Sequence, residues 1–130
     1  DIYNYKMIKS LIWYMYDDLF EKQDKVYEWK NITDKDEIKN ILNTYMTKYY
    51  DENDEKEVWF SKIKEMCELL GYASNIKEYK KNPENFKGNV ADVSTVLRVA
   101  LTTKSNTPDL YHIMKLLGKD KMIKRYSKFN

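Results

Sequence analysis

The sequence contains few of the residues on which many kinds of site depend. It has a single cysteine, which excludes an intrachain disulfide and a cysteine-based metal cluster and suits a reducing compartment. Its three glycines lie far apart, so a glycine-rich phosphate loop and a dinucleotide-binding fingerprint are excluded. The longest purely apolar and aromatic run, residues 11–16, has six residues and is too short to span a membrane.

Side chains for catalysis are equally scarce. His112 is the only histidine, and no serine or cysteine stands in a recognisable triad or nucleophile elbow. Cys67 falls on the apolar stripe of a predicted helix, which favours a buried, inert thiol. The acidic run 51–55 resembles a calcium loop, but Lys56 and Lys62 stand where such a loop needs glycine and glutamate. The sequence therefore disfavours a small stand-alone enzyme and a metal site.

The size and composition are those of a globular chain. Its 130 residues are 42% hydrophobic and 34% charged, which fits one domain or two small helical modules. The chain begins at Asp1 with neither an initiator methionine nor a signal peptide. We therefore expect it to be a segment of a longer protein.

The charge is distributed unevenly along the chain. Residues 1–74 carry 11 Lys/Arg and 16 Asp/Glu, whereas residues 75–130 carry 12 and 5. A basic second half indicates a polyanionic partner, although an ordinary solvated surface would have the same composition. Only two of the basic residues are arginines, Arg98 and Arg125, against 21 lysines. Because lysine supplies bulk charge, a retained arginine indicates a need for its planar guanidinium.

Apolar residues recur at three- and four-residue spacing, which predicts helices. Within the first half this spacing connects Ile8, Leu11, Ile12, Met15 and Leu19; Ile38, Ile41, Leu42, Tyr45, Met46 and Tyr49; and Trp59, Ile63, Met66, Cys67 and Leu70. The first of these stripes lies in residues 4–22. Asp34 with Glu37, and Asp54 with Glu57, predict capping-box-like starts for the second and third helices, and Gly71 predicts the end of the third.

The second half predicts shorter helices. Asn89 is expected to cap a helix through Val93, Val96, Leu97, Ala100 and Leu101. Thr107 is expected to cap the next helix, with Pro108 and Asp109 in its first turn and Gly118 at its end. A basic helix at about residues 119–128 follows. No period-two strand pattern is found, so the fold class is all-α: a helical bundle of two small subdomains, residues 1–74 and 75–130, divided at 72–75.

Two residues of the second half offer nucleic-acid chemistry. Ser94, Arg98 and Thr102 recur at four-residue spacing beside the apolar stripe. A guanidinium there suits a base edge or a phosphate, but a solvated or salt-bridged arginine fits the same pattern. Thr107 also fits two roles. It can cap a helix, and the free N–H groups of that helix N-terminus can bind nucleic-acid oxygens.

Several motifs together resemble the C-terminal region of bacterial-type glutamyl-tRNA synthetases. The strongest are residues 97–102 (LRVALT), 106–110 (NTPDL) and 113–119 (IMKLLGK). Weaker likeness is found at residues 14–20 (YMYDDLF), 59–64 (WFSKIK), 77–84 (KEYKKNPE) and 87–93 (KGNVADV). The resemblance therefore extends over nearly the whole chain.

The resemblance implies an all-helical anticodon-binding region, the helical cage, which follows a Rossmann-type catalytic domain that this chain does not contain. It implies that the parent enzyme ligates glutamate to tRNA(Glu) with ATP and magnesium, in the cytoplasm and as a monomer. The segment itself would need no cofactor or membrane, would be non-catalytic alone, and would grip the anticodon stem-loop. Whether the parent also charges tRNA(Gln) stays open.

The resemblance also implies which residues contact the anticodon. The arginine of the LRVALT stretch and the start of the Thr-Pro helix lie against the anticodon bases in the family. The matching positions here are Arg98, Thr107, Pro108, Leu110 and Tyr111. Unpaired bases stack on apolar or aromatic groups and are read on their exposed edges, which suits these residue types. The spacing of Leu110 with the apolar residues that follow fits the core equally well.

The sequence departs from the family pattern after this stretch. Thr103 stands where the family usually has glycine, and Lys104-Ser105 stand where the next loop often carries an arginine. If the loop needs a positive φ, Thr103 will be strained there. A family arginine of the first subdomain that reads the last anticodon base has no match, so another residue type would fill that role.

The alternative hypothesis is a helical protein–protein adaptor without catalytic activity. It predicts a large exposed apolar patch and RNA binding no better than that of any polyanion.

Overall fold

A computed structural model describes residues 26–107 and 109–129 of the chain. Its helices are α1 (Lys35–Thr44), α2 (Lys56–Leu70), α3 (Ile76–Lys81), α4 (Val90–Thr102) and α5 (Leu110–Tyr126). A π-helical turn, Tyr45–Tyr49, continues α1, and short 3₁₀ turns occupy Pro83–Asn85 and Ser127–Phe129. The helix predicted in residues 4–22 lies outside the described residues.

The all-α prediction is confirmed. The described residues contain no β-strand, and their one β-bridge joins Ala73 to Asn89. None of the helices in the described part is long and apolar enough to cross a membrane.

Local signals set several of the helix boundaries as predicted. The Asn89 side chain accepts hydrogen bonds from the backbone of Ala91 and Asp92, and the Asp92 carboxylate accepts one from the Asn89 N–H. This reciprocal capping box begins α4. α2 ends at Gly71, whose φ of 91° lies in the left-handed region where glycine has no steric penalty. Sequence signals of short range were sufficient at both points.

Of the two predicted capping boxes, one is half formed and the other does not form. Asp34 caps α1 by accepting from the Asp36 N–H, but Glu37 instead accepts a hydrogen bond from the Tyr72 hydroxyl at 2.8 Å. The start predicted at Asp54 falls one residue later, because Glu55 is the N-cap of α2 and makes no side-chain cap bond. The Asp54 carboxylate pairs with Lys62 at 2.7 Å. Glu37 and Asp54, which the local pattern predicted at helix starts, instead make a tertiary hydrogen bond and an ion pair.

The predicted start of α5 is wrong by two residues. Asp109, and not Thr107, is the N-cap, since its carboxylate accepts a hydrogen bond from the Tyr111 N–H and the helix begins at Leu110. A carboxylate suits this position because it also complements the positive end of the helix dipole. Gly118 (φ 79°, ψ 168°) is non-helical and breaks α5 into two pieces, as the predicted stop at this glycine requires.

The core is a single cluster of buried side chains in which α4 is central and contacts α1, α2 and α5. It contains most of the predicted apolar stripes of those helices, including Ile41, Ile63, Leu97 and Ile113, whereas Met46, Tyr49 and Leu70 are partly buried and pack against it. Each such side chain stabilises the fold by about 1.5–3 kcal/mol when fully buried. The cluster draws on residues from both sides of position 74, and the division into two subdomains stays a prediction.

Arg125 is fully buried beneath the C-terminal end of α4. Its Nη1 donates to the carbonyl of Leu101 at 2.9 Å, and the neighbouring Tyr126 hydroxyl donates to the carbonyl of Leu97 at 3.0 Å. Carbonyls of the last helical turn lack partners within the helix. Arg125 therefore supplies a donor to the Leu101 carbonyl at the end of α4, and the need for a guanidinium at Arg125 is structural.

The single cysteine has its predicted role, and the single histidine is exposed. Cys67 is buried in the core, and burial raises the pKa of its thiol to about 12, which keeps it protonated and unreactive. His112 lies on the surface, with Nδ1 3.3 Å from Asp109.

Candidate nucleic-acid interface

The residues predicted to read RNA are near one connection, the loop of residues 103–109 between α4 and α5, which we call the α4–α5 loop. It begins at Thr103, which has φ 68° and ψ −14°. Thr103 is the one non-glycine residue with a positive φ in the described part of the chain. A β-branched residue in this left-handed region costs about 1–3 kcal/mol and persists only when its surroundings hold it. The strain expected at this departure from the family pattern is therefore present.

Thr102 holds the entrance of the α4–α5 loop from the α4 side. Its side chain is buried, and its Oγ1 lies 2.9 Å from the carbonyl oxygen of Arg98 and 3.1 Å from that of Lys104. The same oxygen accepts a hydrogen bond from the Lys104 N–H at 3.1 Å. Of the polar strip predicted on α4, this threonine is therefore committed to loop geometry and is not available to a ligand.

Glu28 holds the α4–α5 loop from outside. Its backbone N–H donates to the carbonyl of Thr103 at 2.9 Å, and its Oε1 accepts from the Ser105 N–H at 3.0 Å. Oε2 lies 3.9 Å from Lys104 Nζ. The hydrogen bond from the Ser105 backbone lowers the pKa of Glu28 below 4.5, against the opposing effect of burial, and the Lys104 charge lowers it further. Helical spacing and capping signals do not indicate this contact, which joins residues 77 positions apart.

Arg98 and Thr107 are both half-buried. Arg98 therefore differs from Arg125, the other arginine, which is enclosed in the core. Thr107 lies in the α4–α5 loop, two residues before the N-cap of α5. Pro108 is outside the described residues.

Leu110 packs into the core with 2% of its surface exposed. The spacing of Leu110 fitted either a core position or a base contact, and its burial agrees with the core position. Leu110 therefore packs the start of α5 against the core. Its predicted contact with an anticodon base stays a prediction that would require the side chain to move outward.

Tyr111 is half-buried and firmly oriented. Its hydroxyl donates to the carbonyl of Asp54 at 2.7 Å, and its ring centroid lies 5.4 Å from that of Trp59. Lys115 Nζ lies 5.4 Å from the Tyr111 ring centroid. These contacts tie α5 to the loop before α2 and hold the tyrosine ring at the edge of a cavity of about 230 Å³.

An ionic cluster fixes the start of α5. The Asp109 carboxylate accepts from Lys56 Nζ at 2.7 Å and lies 3.3 Å from His112 Nδ1. Burial opposes ionisation here, but the bonds from Lys56, His112 and the Tyr111 N–H prevail and lower the pKa of Asp109 below 3.8. Asp109 is therefore charged at neutral pH and helps to fix the position of the helix that follows the α4–α5 loop.

No group of three or more histidine, cysteine or carboxylate side chains suited to a metal ion is found within residues 26–107 and 109–129.

The geometry thus defines an all-α domain whose half-buried arginine, strained loop and oriented tyrosine lie around the junction of α4 and α5. The model of the anticodon binding domain family matches residues 4–129, and the chain belongs to this family.

Sequence comparison with three named relatives supports the assignment to this family. The chain is 41% identical over 130 residues to a protein named glutamate–tRNA ligase from Clostridium perfringens strain SM101, covering 99% of this chain and 23% of the relative. It is 40% identical over 125 residues to the glutamate–tRNA ligase of Acetivibrio thermocellus, covering 96% and 22%. For that of Sorangium cellulosum the identity is 35% over 125 residues, covering 94% and 21%.

The chain therefore spans less than a quarter of the length of these relatives and matches their C-terminal part. No solved structure matches it significantly.

Proposed function

We propose that this chain is the anticodon-recognition module of a glutamate–tRNA ligase and binds the anticodon stem-loop of tRNA(Glu). The observation that carries the proposal is the match of the anticodon-binding family to residues 4–129. The names of the relatives support glutamate as the amino acid and tRNA as the partner.

Recognition rests on two kinds of contact. Lysines of the basic second half neutralise phosphates and release counterions, which supplies affinity without reading sequence. Sequence is read around the α4–α5 loop, where Arg98 offers a bidentate fork, Thr107 a hydroxyl and Pro108 an apolar surface. Tyr111 offers a ring for stacking, held by its bond to Asp54. Leu110 supports these residues from the core side.

The chemistry of ligation belongs to the rest of the parent protein. ATP and magnesium bind the catalytic domain, and this chain alone binds tRNA but does not charge it. The parent works as a cytoplasmic monomer. The small share of the relatives' length that the chain spans supports this division of labour.

The test compares binding of tRNA(Glu) with binding of the same tRNA carrying a substituted anticodon. The unmodified chain is expected to discriminate, and Arg98→Ala is expected to lose about 1–3 kcal/mol of that discrimination, the range of one good bidentate contact. Fluorescence anisotropy over a salt series measures both affinity and salt dependence.

Arg98→Lys is the matched control because it keeps the charge and removes the planar fork. It should keep the salt dependence of the unmodified chain while losing discrimination. Circular dichroism checks that both variants fold. Equal discrimination by the Arg98→Ala variant and the unmodified chain would show that Arg98 does not read the anticodon.

The adaptor hypothesis remains the alternative, supported by exposed apolar side chains on α2 and α5, among them Leu69 and Leu116. It predicts equal affinity for tRNA(Glu), for the substituted tRNA and for an unrelated polyanion of the same charge.

A further inference from the structure

We propose that Glu28 is a positioning residue for RNA recognition, which holds the α4–α5 loop in the conformation that presents Thr107 and the start of α5. This role rests on the proposed function. It extends that function to a residue outside the basic second half of the chain.

Glu28 contacts the strained residue and the two loop residues that follow it. Its backbone N–H bonds to the carbonyl of Thr103 at 2.9 Å, and its carboxylate accepts from the N–H of Ser105 at 3.0 Å and lies 3.4 Å from the Ser105 hydroxyl. Two residues of loop are therefore pinned from outside by one amino acid. The Thr102 hydroxyl contacts only the start of the loop, at Lys104, so Ser105 depends on Glu28.

The segment that carries Glu28 is itself anchored at several points. Trp29 and Tyr27 pack against Phe129 with ring centroids 5.5 and 5.1 Å apart, respectively. The Asn31 amide donates to the Asp92 carboxylate at 2.6 Å, at the opposite end of α4 from Thr103. The segment thus contacts both ends of α4 and gives Glu28 a fixed base from which to hold the α4–α5 loop.

A competing interpretation is that Glu28 acts as a substitute anion. The Ser105 N–H, the Ser105 hydroxyl and the Lys104 ammonium are donors that also suit an RNA phosphate, so a carboxylate there would compete with RNA. The backbone bond from Glu28 to Thr103 favours positioning, because an anion substitute needs no contact with that carbonyl. The two interpretations predict opposite effects on RNA binding.

The experiment compares Glu28→Ala with Glu28→Gln in the 130-residue chain, with tRNA(Glu) and the anticodon-substituted tRNA as probes. Glu28→Gln keeps an acceptor oxygen for the Ser105 N–H, whereas Glu28→Ala removes it. Positioning predicts that Glu28→Ala weakens cognate binding and reduces discrimination by about tenfold, the size of losing one hydrogen bond to a charged group. Glu28→Gln should restore most of that loss, and the salt dependence should stay unchanged.

Glu84→Ala is the matched control, since Glu84 is an exposed carboxylate on the Pro83–Asn85 turn. It should leave discrimination unchanged. Hydrogen exchange at the Ser105 amide supplies a readout without RNA: exchange should be faster in Glu28→Ala and close to that of the unmodified chain in Glu28→Gln.

Each result decides between the interpretations. Tighter tRNA binding with a steeper salt dependence in Glu28→Ala would establish the substitute anion and overturn positioning. Unchanged discrimination in Glu28→Ala, while the unmodified chain discriminates, would overturn the Glu28 proposal and leave the proposed function intact. If the unmodified chain does not discriminate, the proposed function fails and positioning fails with it.

Discussion

Two helices of this domain end in the same left-handed backbone conformation, but they reach it with different residues. α2 is followed by Gly71, with φ 91°, and α4 is followed by Thr103, with φ 68°. Glycine adopts this conformation without steric cost, whereas a β-branched threonine is strained by it. The end of α2 is therefore specified by its own residue, and the end of α4 has to be held by contacts from elsewhere in the fold.

Those contacts come from two distant parts of the chain, the segment that carries Glu28 and the end of α5. Glu28 bonds to the carbonyl of Thr103, Arg125 donates to that of Leu101, and Tyr126 donates to that of Leu97. Strained backbone is retained where the surrounding structure over-determines it, and such places coincide with functional sites more often than ordinary loops do. The comparison therefore favours the end of α4, and not that of α2, as part of the candidate site.

The largest effect should follow from removing the support beneath α4. Arg125→Ala leaves a cavity and an unpaired carbonyl at Leu101, so it should lower the free energy of unfolding by about 3–5 kcal/mol. Urea denaturation at neutral pH measures this. Lys124→Ala, at an exposed position on the same helix, should change it by less than about 0.5 kcal/mol. A similar small change for Arg125→Ala would mean that α4 ends without this donor.

Exchanging the residues of the two helix ends tests the comparison directly. Gly71→Thr places a β-branched side chain at φ 91° and should lower the free energy of unfolding by about 1–3 kcal/mol. Thr103→Gly removes the same kind of strain and should not lower it, with a gain of up to about 1 kcal/mol. Thermal or urea unfolding of both variants is the measurement. A loss above about 1 kcal/mol in Thr103→Gly would show that its buried side chain outweighs the strain.

Changes of pH should have the smallest effects on the free energy of unfolding near neutrality. The end of α2 should lose stability in alkali, whereas the end of α4 should lose it in acid. At the end of α2, burial raises the pKa of Cys67 to about 12 and, with the bond to Glu37, that of Tyr72. A raised pKa stabilises the fold below the unfolded value, here about 9 for the thiol, and that stability is lost as pH rises through the folded value. Stability should therefore fall above about pH 9, and the fall should be shallower in Cys67→Ala.

The end of α4 should respond to acid instead. The pKa of Glu28 is lowered from 4.5 by its bond to the Ser105 backbone, with burial opposing. A lowered pKa stabilises the fold above the unfolded value, and the contribution is lost as pH falls through the folded value. The stability difference between the unmodified chain and Glu28→Ala should therefore narrow below about pH 4.5. A difference that stays constant down to pH 3 would mean that the carboxylate charge does not contribute.

Much of the fold followed from the sequence because short-range signals determine it. Asn89 began α4, Gly71 and Gly118 stopped their helices, and the predicted apolar stripes of α1, α2, α4 and α5 contribute most of the core of the described residues. The start of α5 was missed because two candidate caps, Thr107 and Asp109, stand two residues apart. The local pattern does not contain the ion pair with Lys56 that helps fix Asp109.

The candidate site was predictable only in part. Thr103 stands where the resembled family usually has glycine, and this difference indicated a strained loop if the position needed a positive φ. The roles of Glu28 and Arg125 depend on contacts across 77 and 24 positions, which periodicity and caps do not report. Leu110 shows the same limit, because an apolar residue at helical spacing fits a core and a base contact equally well until its burial is known.

Anticodon recognition by this chain is tested most directly with two short RNA hairpins that share one stem and differ only in the anticodon bases of the loop. One carries the anticodon loop of tRNA(Glu), and the other carries the same loop length with substituted anticodon bases, so that their charges are equal. At a salt concentration of about 0.15 M, we expect the cognate hairpin to bind at least about tenfold more tightly than the substituted one. Equal affinities that fall together as salt is added would contradict it, because the chain would then bind only the phosphates.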